Sequence, residues 1–323
     1  MAFVARTAFP HYRLPNSYFL GHHQTTIKAL HALLADIDIV YEVRDSRAPL
    51  ATRNPLFEQA LGRRPRIVLY SKSDLSTLQP ETLAEWNDGE AQLISCRSTA
   101  DARGLISRAQ AFSASTPAAP SSGTRLLVVG MPNVGKSTLL NSLRRAGLNR
   151  AKAVRTGGTP GVTRRVETAV KIAADPDVYL YDTPGVFLPH KVDTDTMLTM
   201  ATIGCVKPGL VAPYIVCDYV LFRLNLAGAH DMYARYSPPT NSVDELLEGI
   251  AARTNKLSRG GRPDTDAAAI YYADRWRQGK EGAFCFDDTS VAGLAAWTAR
   301  ALQSSADRWT GGKHRGRGSW WRG

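Results

Sequence analysis

The sequence predicts an α/β domain on a mostly parallel sheet with helices on both faces, followed by a small all-α domain. Three observations support this. Short apolar runs at 37–43, 66–70, 91–94, 126–129 and 178–181 alternate with helical connections, the pattern of a sheet whose ligands sit at the strand C-termini. One run passes directly into Gly130-Met131-Pro132-Asn133-Val134-Gly135-Lys136-Ser137, which fits G-x-x-x-x-G-K-[ST]. Beyond about residue 191 the strand-like runs give way to helical ones.

In chain order, residues 25–34 read as a helix with Ile27, Leu30, Leu33 and Leu34 near one face. The run 37–43 is a strand entering Asp45. The run 66–70 is a strand followed by Ser71-Lys72-Ser73-Asp74-Leu75, and 91–94 leads into Ser95-Cys96-Arg97. Residues 114–123, rich in Ser, Ala and Pro, read as a linker. The strand 126–129 and a helix beginning near Leu139 flank the glycine-rich stretch, which is the context a phosphate-binding loop requires. Backbone N–H groups of such a loop and the positive end of its helix surround phosphates. Lys136 is placed to neutralise β- and γ-phosphate charge and Ser137 to bind Mg²⁺, while Asn133, Val134, Gly135 and Thr138 complete the candidate cradle.

The strand 178–181 runs into Asp182-Thr183-Pro184-Gly185. Alone this is a surface turn. Downstream of a phosphate loop it reads as Asp182 supporting Mg²⁺ through water and Gly185 offering its N–H to a γ-phosphate. Between the two lies Thr156-Gly157-Gly158-Thr159-Pro160-Gly161-Val162-Thr163, a switch-like segment in which Thr163 is favoured over Thr159 as metal ligand. Val186 follows Gly185 where Ras-like enzymes carry a water-orienting glutamine, so slow intrinsic turnover is expected.

A guanine site needs a carboxylate that accepts from the ring N–H and exocyclic amine, an edge adenine lacks. Such an element usually follows the phosphate loop. Here Ser71-Lys72-Ser73-Asp74 precedes it, and Ser95-Cys96-Arg97 resembles the Ser-Ala-Lys loop that backs the base. Three further stretches agree: Phe19-Leu20-Gly21-His22; Asp45-Ser46-Arg47-Ala48-Pro49-Leu50 with Arg53-Asn54-Pro55; and Arg259-Gly260-Gly261 with Asp264 or Asp266 and Ala267-Ala268. Over most of its length the chain resembles the circularly permuted GTPases of the YlqF/YawG type, and among them the mitochondrial ribosome-associated subgroup. The resemblance implies binding of GTP/GDP with Mg²⁺, hydrolysis of GTP, and maturation of the mitochondrial large ribosomal subunit through contact with it or its rRNA. It assigns Ser71, Lys72, Asp74, Ser95 and Cys96 to the base, His22 to orienting the attacking water, and Asn133 to a candidate K⁺. The expected catalytic set is therefore His22, Lys136, Thr163 and Gly185. Ser71 stands where the family has asparagine; being shorter than an amide, it is expected not to bridge loops in the same way.

The chain of 323 residues carries a net charge of +11 and a pI near 9.6. Arg144, Arg145, Arg150, Lys152, Arg155, Arg164 and Arg165 fall in a stretch without acids, and Lys313, Arg315, Arg317 and Arg322 accompany Trp320 and Trp321. This suits rRNA, although charge alone does not separate RNA from an acidic membrane. No apolar run is long enough for a membrane span. An acid-poor N-terminus with Arg6, Arg13 and Lys28 suits a mitochondrial leader. The expected location is the matrix, with peripheral attachment to the matrix face of the inner membrane as a further expectation, and the expected state off the ribosome is monomeric. Four cysteines without ligand spacing read as reduced thiols. Expected boundaries are an N-terminal segment over 1–18, the permuted GTPase domain over 19–190, a helical domain over 191–300 with helices at 218–232, 243–254 and 265–279, and a flexible basic tail over 301–323. An rRNA-binding placeholder with little hydrolysis is the alternative; a small-molecule kinase is disfavoured by Asp74.

Overall fold

A computed structural model describes residues 3–12, 14, 34–62, 64–86, 90–115, 123–151, 169–181 and 192–310. His22, Thr163, Asp182 and Gly185 lie outside the described residues, as does nearly all of the helix expected over 25–34.

Strand β1 (Ile39–Asp45) is buried along its whole length, as a strand covered on both faces must be. Around it form β2 (Arg66–Ser71), β3 (Glu90–Leu93), β4 (Thr124–Gly130), β5 (Val170–Ala173) and β6 (Val178–Tyr181), in the order β3-β2-β1-β4-β6-β5. All neighbours are parallel except β5 and β6. β5 was not anticipated: it is a short edge strand with half its residues only partly buried, so its apolar pattern is weak.

Two helix layers follow from the period of two along the strands. Tyr41, Val43, Leu69 and Val128 face Leu105 and Ile106 of α3 (Thr99–Ser115) and Leu139 and Leu143 of α4 (Lys136–Ala151). On the opposite face, Val40, Leu127 and Val129 meet Phe57 and Leu61 of α1 (Pro55–Leu61), and Val68 and Tyr70 meet Leu83 of α2 (Pro80–Glu85).

Beyond β6 lie α5 (Thr194–Ile203), α6 (Pro213–Leu226), α7 (Val243–Arg253), α8 (Thr265–Arg277) and α9 (Val291–Thr310). The sequence did not disclose α5 because Thr196 through Ile203 are all buried, leaving no polar face to set a period. The helix expected at 218–232 begins earlier, with Pro213 in its first turn, and ends before Gly228 at φ 67°. α9 runs through Thr310, ten residues into the stretch expected to be a flexible tail. One apolar cluster continues from the sheet into α5–α8, so this helical region packs as an extension of the sheet's own core.

Residues near the N-terminus lie against α6. Arg6 donates to Asp218 Oδ1 at 2.5 Å and to the Asp218 carbonyl at 2.9 Å, and Tyr12 Oη donates to Asp218 Oδ2 at 3.1 Å. The Phe9 ring sits 5.4 Å from the rings of Tyr219 and Phe222. Asp218 is only 2% exposed, so it is an internal partner of these groups. Arg6→Ala strands this carboxylate and is expected to cost about 2–4 kcal/mol; an unchanged urea midpoint would remove the pair from the folded core.

Candidate nucleotide-binding site

The C-terminal ends of β2, β1 and β4 lie side by side, with Asp45 opposite Ser71 and Val43 opposite Gly130. Gly130 is required there: at φ 144°, a Cβ would stand 2.2 Å from the Val43 carbonyl oxygen. The phosphate loop then turns through Asn133 at φ 58° and Gly135 at φ 108° before α4 begins at Lys136. Lys136 Nζ donates to the Met131 carbonyl at 2.5 Å and has no carboxylate partner among the described residues. Burial pushes its pKa down to about 8, so this cation is under-compensated and suited to an anion. The Ser137 hydroxyl is exposed in the first turn and makes no hydrogen bond among the described residues.

The element expected to read the base is tied to this loop. Lys72, at φ 57°, donates from Nζ to Asp45 Oδ2 at 2.6 Å and to the Asn133 carbonyl at 2.9 Å. Ser71 corrects the expectation drawn from its size. Its hydroxyl lies between the Arg44 carbonyl, at 3.0 Å, and the Val134 carbonyl, closer still, and so links β1 to the phosphate loop. The strand ends are close enough that a hydroxyl spans what was expected to need an amide; its single proton serves one carbonyl at a time. Ser142 of α4 donates to the Cys96 carbonyl at 2.6 Å, and Asp101 accepts from the Ser95 N–H at 2.8 Å, which fixes the Ser95-Cys96-Arg97 loop. Burial pushes the Cys96 thiol up to about 12, keeping it neutral.

A cavity of about 560 Å³ brings these pieces together: Lys72, Asp74, Ser95 and Cys96 line it, and so do Gly135 and Thr138. Asp74 and the phosphate loop thus open onto one space. Leu75 and Arg97 also line it, and a further wall, Arg277 to Lys280, comes from the end of α8 and the turn after it. Sequence reasoning missed it, because about two hundred residues separate that turn from Asp74 and its one local signal, Gly279 after a helix, reads as an ordinary C-cap.

Asp45 and Arg47 hold the two parts of the molecule in place. Arg47 donates from Nε to Asp45 Oδ1 at 3.0 Å and from Nη2 to Asp45 Oδ2 at 2.8 Å. The same guanidinium reaches the Trp276 carbonyl at 2.9 Å and the Ile203 carbonyl at 3.1 Å, the C-terminal ends of α8 and α5 where the helix dipoles favour a cation. Burial alone would raise the Asp45 carboxyl, but Arg47 and Lys72 hold it below the usual carboxylate range. Close by, Asn133 Nδ2 donates to the Gly204 carbonyl at 2.7 Å, and Asp287 accepts from the N–H groups of Leu50 and Ala51 at 2.6 and 2.9 Å.

Comparison with known proteins agrees with this geometry. A family model described as "50S ribosome-binding GTPase" matches residues 125–245. "Mitochondrial GTPase 1" of Schizosaccharomyces pombe is 36% identical over 314 residues, covering 89% of this chain and 94% of the relative. The chain belongs to this family of circularly permuted GTPases. It is a GTPase. "Mitochondrial ribosome-associated GTPase 1" of Xenopus tropicalis is 31% identical over 291 residues, covering 84% of this chain and 94% of the relative. The crystal structure of GNP-bound YlqF from T. maritima shares the fold, with a TM-score of 0.55 at 21% identity, over 81% of this chain and 97% of that one.

Arg47→Met is expected to destabilise the family member by about 3–5 kcal/mol, since it uncaps two helix ends and half-strands a buried carboxylate. Because the Asp45 pKa is lowered on folding, its contribution is full above the ordinary aspartate pKa of about 4 and disappears as pH falls below it. Asp45→Asn should therefore be less stable at pH 7 and lose less on acidification; parallel stability–pH curves for the two proteins would contradict the assignment.

Proposed function

We propose that this GTPase is an assembly factor that binds the mitochondrial large ribosomal subunit, or its rRNA, during maturation. The reading is carried by one observation: Asp74 and the phosphate loop share a single cavity, although the chain supplies them in permuted order. Relatives named as mitochondrial and ribosome-associated support the compartment and the partner, and a net charge of +11 supports contact with a polyphosphate. In this reading the protein works in the matrix as a monomer off the ribosome, with peripheral attachment to the inner membrane. Among the described residues no helix is long and apolar enough to cross a membrane.

In the proposed site, Asp74 takes the guanine N1–H and amine, and Lys72 fixes that loop against the phosphate loop. Lys136 neutralises phosphate charge in the transition state, where positioning and electrostatics supply most of the catalysis. Gly185 presents its N–H to the γ-phosphate, and His22 orients the attacking water. Ser137, with Thr163 and, through water, Asp182, would hold Mg²⁺; the exposed and uncommitted Ser137 hydroxyl fits a hard cation. Asn133 is the proposed K⁺ ligand: its amide nitrogen is held by Gly204, which leaves its carbonyl oxygen for the ion. The expected segments 1–18, 19–190, 191–300 and 301–323 stand here as proposals for the organisation of the chain.

Lys136→Ala is expected to lower GTP turnover by about 100-fold or more. Native particles purified on Lys136→Ala or Thr163→Ala protein should contain precursors of the large subunit; recovery of small-subunit precursors alone would overturn the assembly reading. Turnover should be higher in K⁺ than in matched Na⁺, and equal rates would dispose of the Asn133 site.

A further inference from the structure

We propose that residues 3–12 are a permanent arm of the helical region and not a leader removed on import: the face formed by α6 and the start of α7 is built to hold them, and the working protein keeps them. The import half of this proposal rests on the mitochondrial reading; the docking half rests on contacts within the chain.

A removable leader needs no partner, and chain ends are loosely held unless something ties them down. Here three receptors tie the arm down. The Asn241 side chain, just before α7, pairs with the arm's backbone as a neighbouring strand would. Arg6 N–H donates to Asn241 Oδ1 at 3.1 Å, and Asn241 Nδ2 donates to the Val4 carbonyl at 2.8 Å. Asn241 is itself held: Asn225 Nδ2 donates to its Oδ1 at 3.3 Å, and Tyr233 Oη donates to Asn225 Oδ1 at 2.6 Å. The two Asp218 oxygens take Arg6 and Tyr12 separately, which closes residues 6–12 into a loop over α6. Midway along that loop Phe9 meets the Tyr219 and Phe222 rings, and the Arg6 guanidinium lies 5.4 Å from the Phe9 ring and 5.5 Å from the Phe222 ring. At the outer end the Phe3 ring packs edge-on against His230 at 5.0 Å. Phe3, Arg6, Phe9 and Tyr12, spaced by three, carry these side-chain contacts, whereas Val4, Thr7, Ala8, Pro10 and His11 are exposed.

The fit gives a leader-like cation an internal use. Arg6 is spent on Asp218, which forms no other ion pair among the described residues. Removing the arm would leave that carboxylate without its counter-ion. It would also bare the Tyr219 and Phe222 rings, now 0% and 7% exposed, at a cost that grows with the apolar area returned to water. The damage would not stay local. Tyr219 Oη donates to Asp195 Oδ1 at 2.8 Å and lies 2.7 Å from Thr199 Oγ1, both on α5. The Gly204 carbonyl at the end of α5 holds Asn133 of the phosphate loop. Arm, α6, α5 and phosphate loop thus form one connected series.

Two measurements on the full chain test this. Trypsin cuts after Arg6 only when the arm lifts off, so the cleavage rate follows the undocked population. Cleavage there is expected to be at least about tenfold slower in the full chain than in a free peptide of residues 1–15. Phe9→Ala, and Asn241→Ala, which loses both backbone bonds, should each raise the rate about tenfold. Val4→Ala, on the exposed side, should leave it unchanged. Equal rates in the full chain and the peptide, or in wild type and Phe9→Ala, overturn the docking. The N-terminus of the protein isolated from mitochondria is then read by intact mass. The expected chain still contains Phe3 to Tyr12; one that starts anywhere beyond Phe3 overturns the proposal even where the protease shows a docked arm. A docked arm on a protein absent from mitochondria would instead remove the mitochondrial reading, and the import half with it.

Discussion

The Asp45 carboxylate, fully buried between the Arg47 guanidinium and the Lys72 ammonium, is the interaction on which the rest of the site depends. A buried carboxylate between two cations survives only where the geometry is nearly complete. It is complete here because each cation does a second job. Lys72 continues to the Asn133 carbonyl in the phosphate loop, and Arg47 continues to the last carbonyls of α5 and α8. Each continuation satisfies polar groups that would otherwise be orphaned at a helix end or in a loop. One charge at the end of the central strand thus fixes three elements that share no sequence neighbourhood.

A consequence is that the helical region belongs to the candidate nucleotide site. Its apolar core is continuous with that of the sheet, its Gly204 carbonyl holds the Asn133 side chain, and its 277–280 turn lines the cavity. Any movement of α5 or α8 must therefore disturb Arg47, and through Asp45 the base and phosphate elements together. For a GTPase this is a physical route by which a partner on the helices and a nucleotide in the cavity can bias one another.

The phosphate loop could be read directly from the chain, because its chemistry is local: a strand, a glycine-rich turn and a helix start are consecutive, and the glycines have steric reasons visible at Gly130 and Gly135. The inverted order of Asp74 and Lys136 was equally plain, and the comparisons bear out the permuted fold it implied. Elements without a pattern were not readable. β5 is too short and too exposed to alternate, and α5 is too evenly buried to show a face. Ser71 was misjudged for a different reason: side-chain length says little about bridging until the gap to Val134 is known.

By itself, then, the sequence determined the family, the phosphate-loop motif and the permuted order in which Asp74 precedes it, since each is written in a few adjacent residues whose spacing is the chemistry. Only the tertiary structure decided what Asp45 and Arg47 are for, that Asp218 receives Arg6, and that residues 277–280 close the far wall of the cavity. Those contacts join residues about 200 positions apart. Burial, not periodicity, selects such partners: a charge removed from water takes whichever donor the packed chain brings within reach.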